Sequence, residues 1–146
     1  MSALRGNTAL DTSAIIEFLT GSELGRAVRE YFETLKPTEK AYCSLYAVSE
    51  IFYILCRLRG EEDAEEKLRL MLGSRVIEVV DSPEMALEAG RLKCARAISI
   101  ADCSCISTAK ITDSVAVFAY IEEELDKEMK RKKFDVEILT LADKKR

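Results

Sequence analysis

Four acidic residues have the types and settings that could do chemistry: Asp11 after the apolar run "TAL", Glu50 inside "YAVSEIFYILCRL", Asp102 near the head of "SIADCSCISTAK", and Glu122 after "VAVFAY". Glu50 is the most informative. A lone carboxylate in an otherwise apolar helix is costly unless it is exposed, paired or bound to a cation. Carboxylate oxygens are hard donors, and four of them converging without histidine suit Mg2+ or Mn2+. A cation held there would lower the pKa of bound water and neutralise charge on a phosphate in its transition state. The chain contains no histidine, which excludes Ser-His-Asp triads, Cys-His dyads and histidine-based zinc sites. A carboxylate cluster is how such a chain could still hydrolyse a phosphodiester.

Each acid also has a plain structural role. Asp11 can begin the turn after a strand, and Asp102 can be a first-turn acid favoured by the helix dipole. Glu50 can pair with Arg57, and Glu122 belongs to "EEE", which reads as a solvated helix face. Taken singly, those roles are the better explanation. Together, at one edge of a sheet, they are not so easily dismissed.

The elements needed to position them read as follows. "TAL" is extended up to Asp11, and a helix follows with Thr12 or Ser13 as N-cap. "SELGRAVREYFETL" is a second helix capped by Ser22, ended by Lys36-Pro37. "KAYCS" is a short strand, and Ser44 caps a third helix so apolar on every side that deep packing is expected. Gly60 breaks it before a charged, amphipathic partner helix, and "RVIEVV" is the clearest buried strand. Ser82 and Pro83 start the next helix. Beyond "SIADCSCISTAK" come the strand "DSVAVFAY", a short charged helix and the strand "VEILTL". The order β-α-α-β-α-α-β-α-α-β-α-β implies an α/β sandwich with a mainly parallel central sheet. In such a sheet the functional crevice lies beyond the carboxyl ends of the strands, where Asp11 and Glu122 stand.

At 146 residues the chain fits one domain, 1–146, with 143–146 a frayed tail. No apolar run approaches the ~20 residues that span a bilayer, and the first residues lack a secretory h-region, so a cytoplasmic protein without membrane contact is expected. A net charge of −4 gives no general attraction to nucleic acid. Phosphate contacts would need local basic patches, for which Lys130, Arg131 and Lys132, with Lys127 and Lys133, are candidates that could flank the acids; a solvated charged helix explains them equally well. The five cysteines lack CxxC spacing, and Cys103 and Cys105 would point about 200° apart on a helix. Buried thiols are the expectation, and a disulfide stays open. Glutamine is absent and Asn7 is the only asparagine, a composition that suggests a thermophilic source.

"LDTSAIIEFL", "SEIFYIL" and "SIADCSCISTAK", in that order and spacing, resemble the three main motifs of the PIN-domain family, and more narrowly of VapC-type toxins of prokaryotic toxin–antitoxin pairs. The resemblance spans Asn7 to Leu141. It implies that Asp11, Glu50 and Asp102 are catalytic metal-binding acids, with the Ser13 (or Thr12) hydroxyl supporting the first. The fourth acid departs from the family pattern, which often has a "T-x-D" turn where this chain reads "VFAYIEEEL"; Glu122 fits the register best and Glu123 is the runner-up. The resemblance further implies Mg2+- or Mn2+-dependent ribonuclease activity, a homodimer and a small antitoxin whose tail fills the acidic groove. Without histidine, direct hydrolysis leaving a 5′-phosphate and a 3′-hydroxyl is the expected route. The altered fourth position leaves a second expectation, a PIN-like RNA- or protein-binding module with weak or no turnover.

Overall fold

A strand buried on both faces needs apolar residues pointing both ways, and β1 (Thr8–Leu10) shows this in its shortest form. Leu10 packs with Ile15, Val28, Ile51 and Leu55 on one side, while Ala9 packs with Cys103, Ile106 and Phe118 on the other. The computed structural model describes residues 4–142, so the expected frayed tail at 143–146 lies outside the described residues. After β1 come α1 (Thr12–Leu19), α2 (Gly25–Glu33), β2 (Ala41–Ser44), α3 (Leu45–Arg59), α4 (Glu61–Ser74), β3 (Ile77–Val80), α5 (Pro83–Ala95), α6 (Ile100–Thr112), β4 (Val115–Phe118), α7 (Glu123–Arg131) and β5 (Ile138–Thr140). This is the element order expected from the sequence.

The five strands lie in the order β3-β2-β1-β4-β5, and every neighbouring pair is parallel. The α/β/α sandwich has its first four helices packed on one core and α5 to α7 on the other. Because all strands point one way, their carboxyl ends share one edge. There α1, α3, α5 and α7 begin directly after β1, β2, β3 and β4. The chain leaves β1 towards β2 on one side and reaches β4 on the other, so the strand order switches between β1 and β4. That is where a parallel sheet opens a crevice.

Four local expectations are corrected. Neither Thr12 nor Ser13 caps α1: Asp11 does, accepting from the Ser13 N–H. The second helix starts at Gly25 rather than at Ser22; Ser22 closes the preceding turn, its hydroxyl accepting from Gly25 N–H at 3.1 Å and donating to Glu17 Oε1 at 2.6 Å. Gly25 lies so close to the backbone of Glu17 and Phe18 that a Cβ there would collide with it. Helix α3 is not deeply packed all round: Ala47, Ile51 and Leu55 are buried, but Leu45, Tyr46, Tyr53 and Leu58 are exposed. "RVIEVV" is an edge strand in which only Ile77 is buried, because nothing pairs on its outer side among the described residues. All five cysteines are free thiols; Cys43, Cys103 and Cys105 are buried, Cys56 is half-buried and Cys94 is exposed. No described helix is long and apolar enough to cross a membrane.

Candidate active site

Asp11 is locked at the β1–β4 switch. Its backbone N–H donates to Val117 O at 2.8 Å, which extends the β1–β4 pairing by one residue. Its Oδ2 accepts from both the N–H (3.0 Å) and the hydroxyl (2.7 Å) of Ser13. The same Ser13 hydroxyl accepts from the Ala119 N–H at 2.9 Å, just past the end of β4. One serine thus ties the first acid to the ends of both central strands. The neighbouring Thr12 is buried in the core side of the turn.

The other acids arrive from three helices. Glu50 lies in the second turn of α3, partly buried, and makes no salt bridge among the described residues; Arg57 instead lies over the Tyr53 ring at 5.0 Å. Asp102 is in the first turn of α6, where the capping Ser99 hydroxyl accepts from its N–H at 3.1 Å. Glu122 is the N-cap residue of α7, exposed, and its side chain makes no capping hydrogen bond. Glu123 is turned to its own helix face, paired with Lys127 at 3.1 Å.

Electrostatics show the convergence. Burial, the largest cause, pushes Asp11 from its ordinary 3.8 up to about 6; the hydrogen bonds from Ser13 oppose the rise and the charge of Glu50 adds to it. Asp102 is pushed up to about 7, first by burial and then by the charges of Asp11 and Glu122, with Glu50 a smaller cause and Ser99 opposing. Asp102 therefore stands in the field of all three other acids. Among the described residues none of the four has a basic partner within salt-bridge distance. They are not a ready-made cage either, since no group of three or more acidic or cysteine side chains among the described residues is disposed to hold an ion as it stands. An electrostatic field reaches further than direct contact, so the four acids can share a field without touching.

The basic run stands elsewhere. Glu122 and Lys132 cap opposite ends of α7, whose nine residues span about 14 Å. Lys130 pairs with Asp126 at 3.0 Å and Arg131 with Glu128 at 2.8 Å. A residue not singled out in the sequence, Tyr46, does belong beside the acids. Burial raises its pKa most, followed by the charge of Glu50 and, more weakly, that of Asp11. The signal was available, because Tyr46 precedes Glu50 by one helical turn. Tyr46 also lines an open groove of about 830 Å³ with Leu45, Phe52, Met85, Ile100 and Ser104, mostly apolar and next to the acids.

A model of the PIN domain matches residues 8–141, nearly the whole chain, a span within which all four acids lie. The chain belongs to the PIN-domain family. Solved structures with the same architecture include VapBC2 from Rickettsia felis bound to a DNA fragment from their promoter, with 20% identity, a TM-score of 0.65 and coverage of 91% of this chain and 96% of that one. VapC20 from Mycobacterium tuberculosis, a sarcin-ricin loop cleaving toxin, is similar at 16% identity and a TM-score of 0.63, covering 82% and 93%. VapBC-1 from nontypeable Haemophilus influenzae is similar at 17% identity and a TM-score of 0.66, covering 92% and 98%. At these identities the likeness is one of fold. No curated protein matches the chain in sequence.

Proposed function

We propose that this PIN-domain protein is a metal-dependent endoribonuclease, the toxin of a toxin–antitoxin pair acting in the cytoplasm. The observation that carries the reading is Asp102 in the field of Asp11, Glu122 and Glu50, with no basic side chain paired to any of them among the described residues. Concentrated, unneutralised carboxylate oxygen is a donor set suited to a hard divalent cation. Asp11, Glu50, Asp102 and Glu122 would hold Mg2+ or Mn2+, which supplies charge neutralisation at a phosphate and an acidified water. The chain's own part is orientation. Ser13 holds Asp11 in one rotamer, Ser99 fixes the turn that carries Asp102, and the switch between β1 and β4 opens the crevice.

RNA is the proposed substrate, and the similar toxin that cleaves a sarcin-ricin loop supports that choice. A small antitoxin is a proposed partner, supported by the similar VapBC complexes, and a second copy of the chain is proposed on the motif resemblance. The direct test is cleavage of RNA in Mg2+ or Mn2+ by wild type, Asp11→Asn and Asp102→Asn. The expected result is loss of about 100-fold or more in each variant, loss in excess EDTA, and products with 5′-phosphate and 3′-hydroxyl ends. Activity persisting in EDTA, or cyclic-phosphate ends, would sink the mechanism. A second reading, a PIN-like binding module without turnover, has one observation in its favour: the acids do not form a cage as they stand. Equal, absent activity in all three folded proteins would select it.

A further inference from the structure

On the flank of the molecule, α5, α6 and the loop after α7 enclose a cleft of about 190 Å³ whose lining includes Arg96, Ser107, Lys110, Lys132, Lys133 and Phe134. Ser107 is 1% exposed, and its Oγ has no hydrogen-bond partner among the described residues. That is unusual within this helix. Ser104, Thr108 and Thr112 all donate to the carbonyl four residues back, as buried helical hydroxyls normally do. Ser107 does not, and it is left with an unused donor in the lining of a cleft.

The walls of that cleft are cationic in a chain whose net charge is −4. Its lining holds four cations against two carboxylates, Glu88 and Asp135. Lys132 and Lys133 make no salt bridge among the described residues. Lys110 is shared between Glu88 at 2.9 Å and Asp135 at 3.4 Å, and the Asp135 side chain is 78% exposed, free to swing away. Arg96 organises the loop rather than the ligand. Its guanidinium donates to the carbonyls of Glu128, Lys132 and Lys133 and lies over the Phe134 ring at 3.8 Å. The two free lysines are therefore presented from a pinned backbone.

We propose that this cleft is a phosphate-binding site, in which the Ser107 hydroxyl and the Lys110, Lys132 and Lys133 ammonium groups take the oxygens of a phosphate group. Charge-assisted donors around a neutral hydroxyl suit a tetrahedral oxyanion better than a carboxylate. Lys110 follows Asp102 by eight residues on α6, about 12 Å along the helix. That distance lies well inside the several nucleotides a single-strand groove tracks. Occupation by a phosphate of the RNA strand rests on the ribonuclease reading; affinity for phosphate itself does not.

The test is a titration of the full chain with inorganic phosphate, followed by amide NMR, for wild type, Ser107→Ala and Lys132→Ala/Lys133→Ala. Binding of a short oligoribonucleotide is measured in parallel in an Asp11→Asn background with EDTA, so that cleavage plays no part. Saturable shifts at Ser107, Lys110 and Phe134 are expected, with affinity about threefold weaker in Ser107→Ala and about tenfold weaker in the lysine pair. The oligonucleotide should weaken in step, with a salt slope lower by about 1 to 2 in the lysine pair. Ser107→Ala removes only an unpartnered hydroxyl, and an unchanged melting temperature certifies its fold. No saturable shift at these amides, or identical phosphate affinity in wild type and Ser107→Ala, overturns the site. Phosphate binding with unchanged oligonucleotide affinity in the variants keeps the site and overturns its use by the RNA strand, assigning it to a free phosphate-bearing ligand.

Discussion

Ser13 shows how much a single hydroxyl can fix. It donates to Asp11 and accepts from Ala119, so removing it frees the acid and the end of β4 together. In Ser13→Ala the Asp11 pKa should move higher still, because the lost hydroxyl hydrogen bond was holding it down while the backbone N–H bond remains; carboxyl carbon NMR reads this directly, and RNA cleavage should fall with it. Asp11 and Asp102 also make stability depend on pH. Their folded values of about 6 and about 7 lie above the ordinary 3.8, so the native state binds protons that the unfolded chain has released. The stability these two groups contribute is therefore fully present near pH 4 and is lost as pH rises through about 7. For Asp11 the upper bound is about 3 kcal/mol at 1.36 kcal/mol per unit. Urea unfolding in EDTA should find the protein weaker at pH 8 than at pH 5, and Asp102→Asn should stabilise it at pH 8 more than at pH 5. Sequence position alone could not choose between Glu122 and Glu123, which both follow β4. The structure separates them by helix face, one in the field of Asp102 and the other on Lys127.

Among the elements, what is local was legible. Ser44 and Ser82 cap α3 and α5 as the sequence indicates, because a hydroxyl reaching an N–H three residues on needs nothing else. Ser99 acts in the same way on α6. Ser99→Ala should cost about 1 kcal/mol in urea unfolding and loosen the turn that carries Asp102. What depends on a neighbour was not legible. The start of α2 at Gly25 is set by the approach of α1, and Gly25→Ala should destabilise by roughly 1–3 kcal/mol through backbone overpacking. The exposed face of α3 was not legible for the same reason, since an apolar residue does not announce which side lacks a partner.

At the scale of the molecule, the parallel sheet does two jobs. It gathers four helix starts at one edge, which brings acids from across the chain together, and it sends α6 and α7 away from that edge. Their far ends carry Lys110 and Lys132 into the flank cleft, so the basic run that could have flanked the acids stands a helix length away from them. The exposed apolar residues of α3 and α4, among them Tyr53, Leu58, Leu70 and Leu72, are surface that the proposed homodimer or antitoxin would cover. Sedimentation should give twice the chain mass, and Leu58→Glu with Leu70→Glu should return a monomer if the second copy uses this face. An unchanged dimer would move the contact to the groove beside Tyr46.

By itself the sequence determined the element order and the absence of histidine chemistry, which follow from periodicity and residue type along the chain. Asp11, Glu50 and Asp102 stood out through the resemblance of their motifs to the PIN-domain family. Only the tertiary structure decided that Asp102 lies in the field of Glu122, that Ser13 bridges two strands and that the lysines lie a helix length from the acids. Each of these is a relation between segments distant in sequence. The field at Asp102 comes from Asp11, Glu50 and Glu122, and no stretch of the chain contains more than one of those four residues.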